Sequence, residues 1–100
     1  MKRFFLSELA DADIAEIVAH VGLGSLDRAH AISEEFLSTF EMIARFPRMG
    51  RLRPEWPRKG GRVRSVVAGR WVVLYRTRRD AVEIARVLSG HRDIGGLLTR

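Results

Sequence analysis

The chain of 100 residues contains no cysteine, only three prolines and one tyrosine, and no long run of apolar residues. Without cysteine, the sequence excludes disulfide bonds, thiolate nucleophiles and cysteine-ligated zinc, and it fits a reducing compartment. The N-terminal apolar run, Phe4–Leu6, is too short for the hydrophobic region of a signal peptide or for a membrane span. We therefore expect a cytoplasmic protein that does not contact a membrane.

Catalytic and metal-binding patterns are also scarce. The chain has three histidines, and the first two, His20 and His30, lie on different predicted helices without a nearby set of Asp, Glu and His at metal-ligand spacing. No glycine-rich loop precedes a helix, no serine lies in a nucleophile elbow, and no carboxylate pair is expected on one sheet face. We expect no metal and no cofactor. His91, Arg92 and Asp93 could supply a base, a phosphate clamp and an orienting carboxylate, or Asp93 could cap a terminal turn.

Positive charge is abundant and unevenly distributed. The net charge is +6, and residues 45–64 hold eight arginine and lysine residues against one carboxylate, Glu55. The same segment holds all three prolines, so it cannot be a continuous helix. Arginine supplies most of the charge, and its planar guanidinium suits phosphate and carboxylate groups. The segment is therefore either a solubilising connector or a surface for an anionic partner, a nucleic acid or an acidic protein.

The hydrophobic periodicity predicts a single domain over residues 1–100 that begins with a strand at 3–7 and two amphipathic helices. The first helix starts at Glu8 and is expected to end at the glycines of 22–24. Ser25 or Asp27 can cap the second helix, and Pro47 forces its end. A connection of about four residues predicts an antiparallel helical hairpin.

Beyond the arginine-rich segment the apolar spacing changes to the period of strands. Residues 62–68, 70–76 and 81–89 are rich in Val, Ile, Trp and Tyr and are joined by short turns, which predicts an antiparallel meander. The fold class is therefore α+β, in the order β-α-α-β-β-β with a short C-terminal turn. The N-terminal strand and the helical hairpin are expected to pack on a small antiparallel sheet.

The middle strand is apolar on both faces, with Trp71, Val73 and Tyr75 on one side and Val72 and Leu74 on the other. The helical hairpin can cover one face, and another element must cover the second. Two interpretations are open. Trp71 and Tyr75 either complete the core or form an apolar groove that binds another polypeptide. We predict the groove.

Arg62 and Arg64 alternate with Val63 and are expected to point to one face of their strand. Together with Arg92 they could stabilise a crowded phosphate in a metal-free ribonuclease that uses the 2′-hydroxyl as nucleophile. The alternative is a charged outer face on an edge strand, which prevents unwanted strand pairing.

The assembled pattern resembles the RelE/ParE toxin superfamily of bacterial type II toxin–antitoxin systems, and its ParE branch most closely. The resemblance covers nearly the whole chain and is carried in order by "LSELADADIAEIVAHV", "FPRMGRLRPE", "VAGRWVVLYR" and "VEIARVLSGHRDIGGLL". It implies a RelE/ParE-like fold and inhibition of DNA gyrase. It also implies a hetero-oligomeric complex with a ParD-like antitoxin, whose acidic C-terminal segment wraps the toxin and whose N-terminal domain binds operator DNA.

The resemblance also helps to choose between the two branches. RelE-type ribonucleases carry two basic residues where this chain has Arg62 and Arg64, and Arg92 would serve as the basic residue near the C-terminus. They carry a further arginine where this chain has Trp71 and a tail tyrosine where it has Leu98. Because two positions depart from the ribonuclease pattern, we predict a gyrase inhibitor rather than an enzyme.

Three alternatives remain beside the gyrase inhibitor: a ribosome-dependent mRNA endoribonuclease, a basic nucleic-acid-binding module, and an inactive toxin homologue. A ribonuclease would use a catalytic set of Arg62, Arg64, Arg92 and His91. The predicted antitoxin-binding residues combine charge for fast encounter with apolar area for slow release. They are Arg51, Arg53, Arg62, Arg64, Trp71, Val73 and Tyr75.

Overall fold

A computed structural model of the chain describes residues 3–56 and 59–90. The α+β fold class is confirmed, with a helical hairpin on one side of a single sheet. The turn predicted within 93–99 lies outside the described residues. The elements follow one another as β1 (Phe4–Leu6), α1 (Glu8–Gly24), α2 (Leu26–Arg45), β2 (Arg51–Leu52), β3 (Val63–Ala68), β4 (Trp71–Thr77) and β5 (Val82–Ser89).

Two serines begin the two helices. The Ser7 hydroxyl oxygen accepts from the Ala10 main-chain N–H at 3.0 Å and donates to the Ala85 carbonyl at 2.8 Å, which ties the start of α1 to β5. Ser25 caps α2 by accepting from the Arg28 N–H at 3.2 Å, so of the two predicted candidates it is Ser25 and not Asp27 that forms the cap. Such a cap contributes about 1 kcal/mol.

The connection between the helices is shorter than predicted. The first helix, α1, ends at Gly24, within the glycines of 22–24 as predicted, but only Ser25 separates it from α2 instead of about four residues. Neither Gly22 nor Gly24 has a positive φ. The extended backbone of Ser25, with φ −167° and ψ 120°, makes the reversal instead.

The strands form one sheet in the order β1-β5-β4-β3-β2. The predicted meander of β3, β4 and β5 is confirmed as antiparallel. The sheet as a whole is mixed rather than antiparallel, because β1 pairs with β5 in parallel, from Phe4 beside Val82 to Leu6 beside Ile84. The sheet also gains a two-residue strand at the opposite edge, β2, which the sequence did not predict.

The core has two parts, one on each face of the sheet. The larger part lies between the helices and the sheet and is built around Phe36, Phe40 and Ile43 of α2. The smaller part lies on the other face, where Trp56 packs against four buried side chains: Val63, Val72, Leu74 and Leu88. Both faces of β4 are therefore buried, which explains why its sequence is apolar throughout.

A carboxylate joins α1 to an irregularity of β5. The register shifts there, so that Leu74 lies beside Arg86 while Tyr75 lies beside Ile84. Asp13 of α1 accepts from the Val87 main-chain N–H at 3.0 Å and from Arg86 Nε and Nη2 at 2.8 and 3.0 Å. This hydrogen bonding raises the pKa of Arg86, against a smaller opposing effect of burial.

No helix within residues 3–56 and 59–90 is long and apolar enough to cross a membrane.

Candidate functional site

The arginine-rich segment forms one edge of the sheet, and we call its described residues, 45–56 and 59–64, the basic edge. The basic edge begins at the last residue of α2, includes β2 and ends within β3. Within it Arg51 lies beside Ser65, Leu52 lies beside Arg64, and the Arg53 N–H donates to the Val63 carbonyl at 2.9 Å. Because β2 ends the strand order, its outer side faces away from the sheet.

Hydrogen bonds from the side chains of Tyr75 and Arg64 hold the turn between α2 and β2 in place. The Tyr75 hydroxyl accepts from the Gly50 N–H and donates to the Pro47 carbonyl, both at 2.8 Å. Arg64 Nη1 donates to the carbonyls of Gly50 at 2.8 Å and Arg48 at 3.4 Å. Burial raises the pKa of Tyr75, while the Gly50 hydrogen bond and the Arg64 charge oppose that shift. We call this arrangement the Tyr75 clamp.

Gly50 is required by the close approach of Tyr75. A Cβ atom at this position would lie 2.5 Å from Tyr75 Oη and 2.9 Å from the Ser65 carbonyl oxygen. Both distances are far below van der Waals contact, and the second neighbour is backbone. The clamp therefore depends on a side chain being absent at residue 50.

Two of the predicted antitoxin-binding residues are buried in the structure. Val73 and Tyr75 are 0% exposed, in the core beneath the helical hairpin, so the prediction that they form an accessible groove is wrong. The helical hairpin covers the face of β4 that carries Val73 and Tyr75. The sequence pattern did not show which of the two faces the helices would cover. Arg64 is engaged with main-chain carbonyls. Trp71 is half-buried at the start of β4, with its ring edge-on to Phe36 at 6.3 Å.

The remaining predicted arginines differ in how far their charge is compensated. Arg53 is partly buried, and its Nε lies 3.0 Å from Glu55 Oε2 at an angle outside that of a hydrogen bond. Glu55 is the sole carboxylate of the segment. Arg51 and Arg62 are exposed and have no ion pair within the part of the chain that the structure describes. The basic edge therefore presents uncompensated positive charge.

An apolar cleft of about 210 Å³ opens beside these arginines. Leu52, Pro54, Trp56 and Val63 line it together with Arg53 and Arg62. The Arg76 guanidinium lies over the Trp56 ring, 6.0 Å from its centre. The arrangement can receive an apolar side chain of a partner that carries acidic groups on either side.

The sequence did not single out Trp56 or Leu52 as site residues. A signal was nevertheless present, since Trp56 is an aromatic residue within a run of arginines, and that combination is enriched at protein interfaces. What the pattern could not show is that β2 brings Leu52 and Val63 to the same cleft. That proximity depends on strand pairing.

The candidate ribonuclease set is described only in part. His91 and Arg92 lie outside the described residues, while Arg62 is exposed and Arg64 belongs to the Tyr75 clamp. No group of three His, Asp or Glu residues suited to a metal ion occurs among residues 3–56 and 59–90.

Comparison with known proteins identifies the family of the chain and a solved structure with a similar fold. The family model for the ParE toxin of the type II toxin–antitoxin system parDE matches residues 4–94. A solved structure of the chromosomal ParDE system from P. aeruginosa superposes with a TM-score of 0.71 over 89% of this chain and 96% of that chain, at 20% identity. No curated protein sequence matches the chain.

Proposed function

Because the chain belongs to the ParE toxin family of type II toxin–antitoxin systems, we propose that it inhibits DNA gyrase and that a ParD-like antitoxin neutralises it by binding the basic edge. In this proposal the antitoxin, and not the toxin, contacts operator DNA. The complex is hetero-oligomeric and forms in the bacterial cytoplasm.

One observation carries the antitoxin part of the proposal: two exposed, uncompensated arginines belong to the basic edge, Arg62 in the lining of the apolar cleft and Arg51 next to Leu52, which also lines it. Charge of one sign on an edge strand attracts an acidic chain and accelerates encounter. Burial of an apolar side chain against Trp56 and Leu52 then slows dissociation. The mixed character of the site suits an acidic polypeptide with apolar anchors better than it suits bare phosphate.

The gyrase part rests on the family and on what the arginines do. RNA cleavage without a metal needs several cations that are free to contact one phosphate. Arg64 instead holds the turn at Gly50, and Trp71 occupies the position of a further arginine in the ribonucleases. Both observations favour a toxin that acts by binding.

Two assays run side by side test this function. We expect the purified chain to inhibit gyrase supercoiling and to increase cleaved DNA complexes, and an equimolar ParD-like antitoxin to reverse both effects. A translation-coupled RNA cleavage assay should show no activity. Cleavage of RNA without any effect on gyrase would contradict the proposal and favour the ribonuclease, whereas only tight, salt-sensitive DNA binding would favour a nucleic-acid-binding module.

A further inference from the structure

Two arginines contact the connection between β2 and β3 from the side of the sheet. The Arg76 guanidinium, in β4, lies over the Trp56 ring at 6.0 Å from its centre. Arg78, in the turn after β4, donates from Nη1 to the Gly60 carbonyl oxygen at 2.5 Å. Trp56 lies in the arm that leaves β2, and Gly60 lies in the arm that enters β3. Each arm is therefore held by one arginine.

Arg78 is itself fixed by a carboxylate of β5. Its Nε donates to Glu83 Oε1 at 3.0 Å, and its Nη2 donates to the same oxygen. The Glu83 side chain is only 15% exposed, so salt screens this ion pair less than a fully exposed one. Nε and Nη2 lie on one edge of the planar guanidinium, which leaves Nη1 on another edge to reach Gly60. We call this arrangement of Glu83, Arg78 and the Gly60 carbonyl the Arg78 bridge.

Gly60 presents its carbonyl to Arg78 through a backbone conformation that suits glycine. Its φ is +92°, in the region that residues with a side chain rarely adopt. A Cβ atom there would lie 3.3 Å from both Nη1 and Nη2 of Arg78. The guanidinium therefore packs closely against this arm as well as donating to it, so the position of the arm depends on the position of Arg78.

The Arg78 bridge lies next to residues of the apolar cleft without belonging to its lining. Arg62, two residues after Gly60, is exposed and lines the cleft with Trp56. Two extended residues span roughly 7 Å, so the place of Gly60 limits where the Arg62 charge can lie. A surface that is already held in its binding arrangement loses less conformational freedom when a partner binds. Fixing this arm therefore favours binding at the cleft.

We propose that Glu83 and Arg78 are positioning residues of the antitoxin site, which hold the arm that carries Arg62 through the Gly60 carbonyl. The inference rests on the proposed neutralisation by an antitoxin. It gives Glu83 a role opposite to the one expected from its charge. A carboxylate close to a basic surface repels an acidic partner, whereas here it strengthens binding by fixing Arg78. The sign of the effect therefore separates positioning from electrostatics.

Two variants of equal net charge test that sign. Glu83→Gln keeps the size of the side chain, and the control Asp80→Asn removes a carboxylate from an exposed position three residues away. Each raises the net charge from +6 to +7. Asp80 forms no ion pair among the residues that the structure describes. With the full-length antitoxin encoded beside this chain, we expect the Kd to rise roughly three- to tenfold for Glu83→Gln. The control should bind as tightly as the wild type or more tightly.

A second pair of variants leaves the net charge unchanged. Arg78→Lys keeps the charge, but its ammonium group cannot reproduce the planar arrangement that joins Glu83 to Gly60. Arg79→Lys is the control, because Arg79 is exposed and forms no ion pair within residues 3–56 and 59–90. We expect the Kd to rise several-fold for Arg78→Lys and to stay at the wild-type value for Arg79→Lys.

Limited trypsin digestion of the free chain tests whether the arm itself is affected. Glu83→Gln and Arg78→Lys should be cut several-fold faster after Lys59 and Arg62, while cleavage after Arg28 of α2 stays at the wild-type rate. Faster cleavage at all three sites would indicate general destabilisation and would overturn the inference.

The affinities separate the inference from the proposed function. If the wild type binds the antitoxin and each variant binds as its control does, the positioning role is wrong and the proposed function stands. If the wild type forms no complex, the proposed function fails, and the inference fails with it.

Discussion

Tyr75 is the only tyrosine of the chain, so its ionisation can be followed by absorbance without interference. Burial raises its pKa above the ordinary value of 10.0, and the native protein therefore holds this proton to higher pH than the unfolded chain. The stabilisation from this group is complete below pH 10 and is lost as the pH rises above it. We expect the tyrosinate midpoint to lie higher in the native protein than in urea, and a native midpoint at or below the urea value would contradict the clamp.

Gly50 allows a second prediction at the scale of one residue. In Gly50→Ala the new methyl group would displace Tyr75 Oη or the Ser65 carbonyl, so we expect the unfolding free energy to fall by about 1–3 kcal/mol. Gly24→Ala is the matched control, because nothing lies within 4 Å of its Cβ position. It should be neutral or stabilising by up to about 1 kcal/mol, since alanine favours the helix. Similar urea unfolding midpoints for the two variants would refute a steric requirement at residue 50.

The position of Tyr75 also shows what a residue pattern can and cannot predict. Alternation along β4 correctly placed Val73 and Tyr75 on one face and Leu74 on the other. It could not show which face the helices cover, because both faces are apolar. The same limit applies to Arg64, whose contacts are main-chain carbonyls that only the folded turn brings near.

At the scale of elements, Asp13 joins α1 to the irregular part of β5 and satisfies a main-chain donor there. Asp13→Asn would weaken two hydrogen bonds from Arg86 and one from the Val87 N–H, and we expect a loss of about 1.5–3 kcal/mol in unfolding free energy. Asp11→Asn, an exposed change of the same kind in the first turn of α1, should cost less than about 1 kcal/mol. Equal losses in chemical denaturation would show that the Asp13 contacts do not stabilise the docking of α1.

Element types were more predictable than their junctions. Apolar periods indicated both helices and the three strands of the meander, since each presents a long face to the core. The two-residue β2 and the three-residue β1 are too short to show a period. Their pairing depends on which outer strand of the meander each one meets in the folded protein. The single-residue connection at Ser25 was missed because glycine usually ends a helix.

At the scale of the whole molecule, the distribution of charge was the most informative feature of the sequence. It indicated the basic edge before any contact was known, because Glu55 is the only acid among the basic residues of 45–64. The cleft beside it could not be predicted, since Leu52, Trp56 and Val63 meet there only through strand pairing. The charge distribution alone therefore predicted the basic edge, whereas the apolar cleft beside it became visible only in the folded structure.

The measurement that tests the central claim most directly is the rate of association with the antitoxin at several salt concentrations. Arg51→Ser/Arg62→Ser and the control Arg3→Ser/Arg79→Ser each lower the net charge from +6 to +4, by two arginines. If the basic edge receives the acidic segment, the first variant associates roughly three- to tenfold more slowly at low salt and shows a weaker salt dependence. The control stays near the wild type. Identical association rates and salt dependence for the two variants would contradict the account.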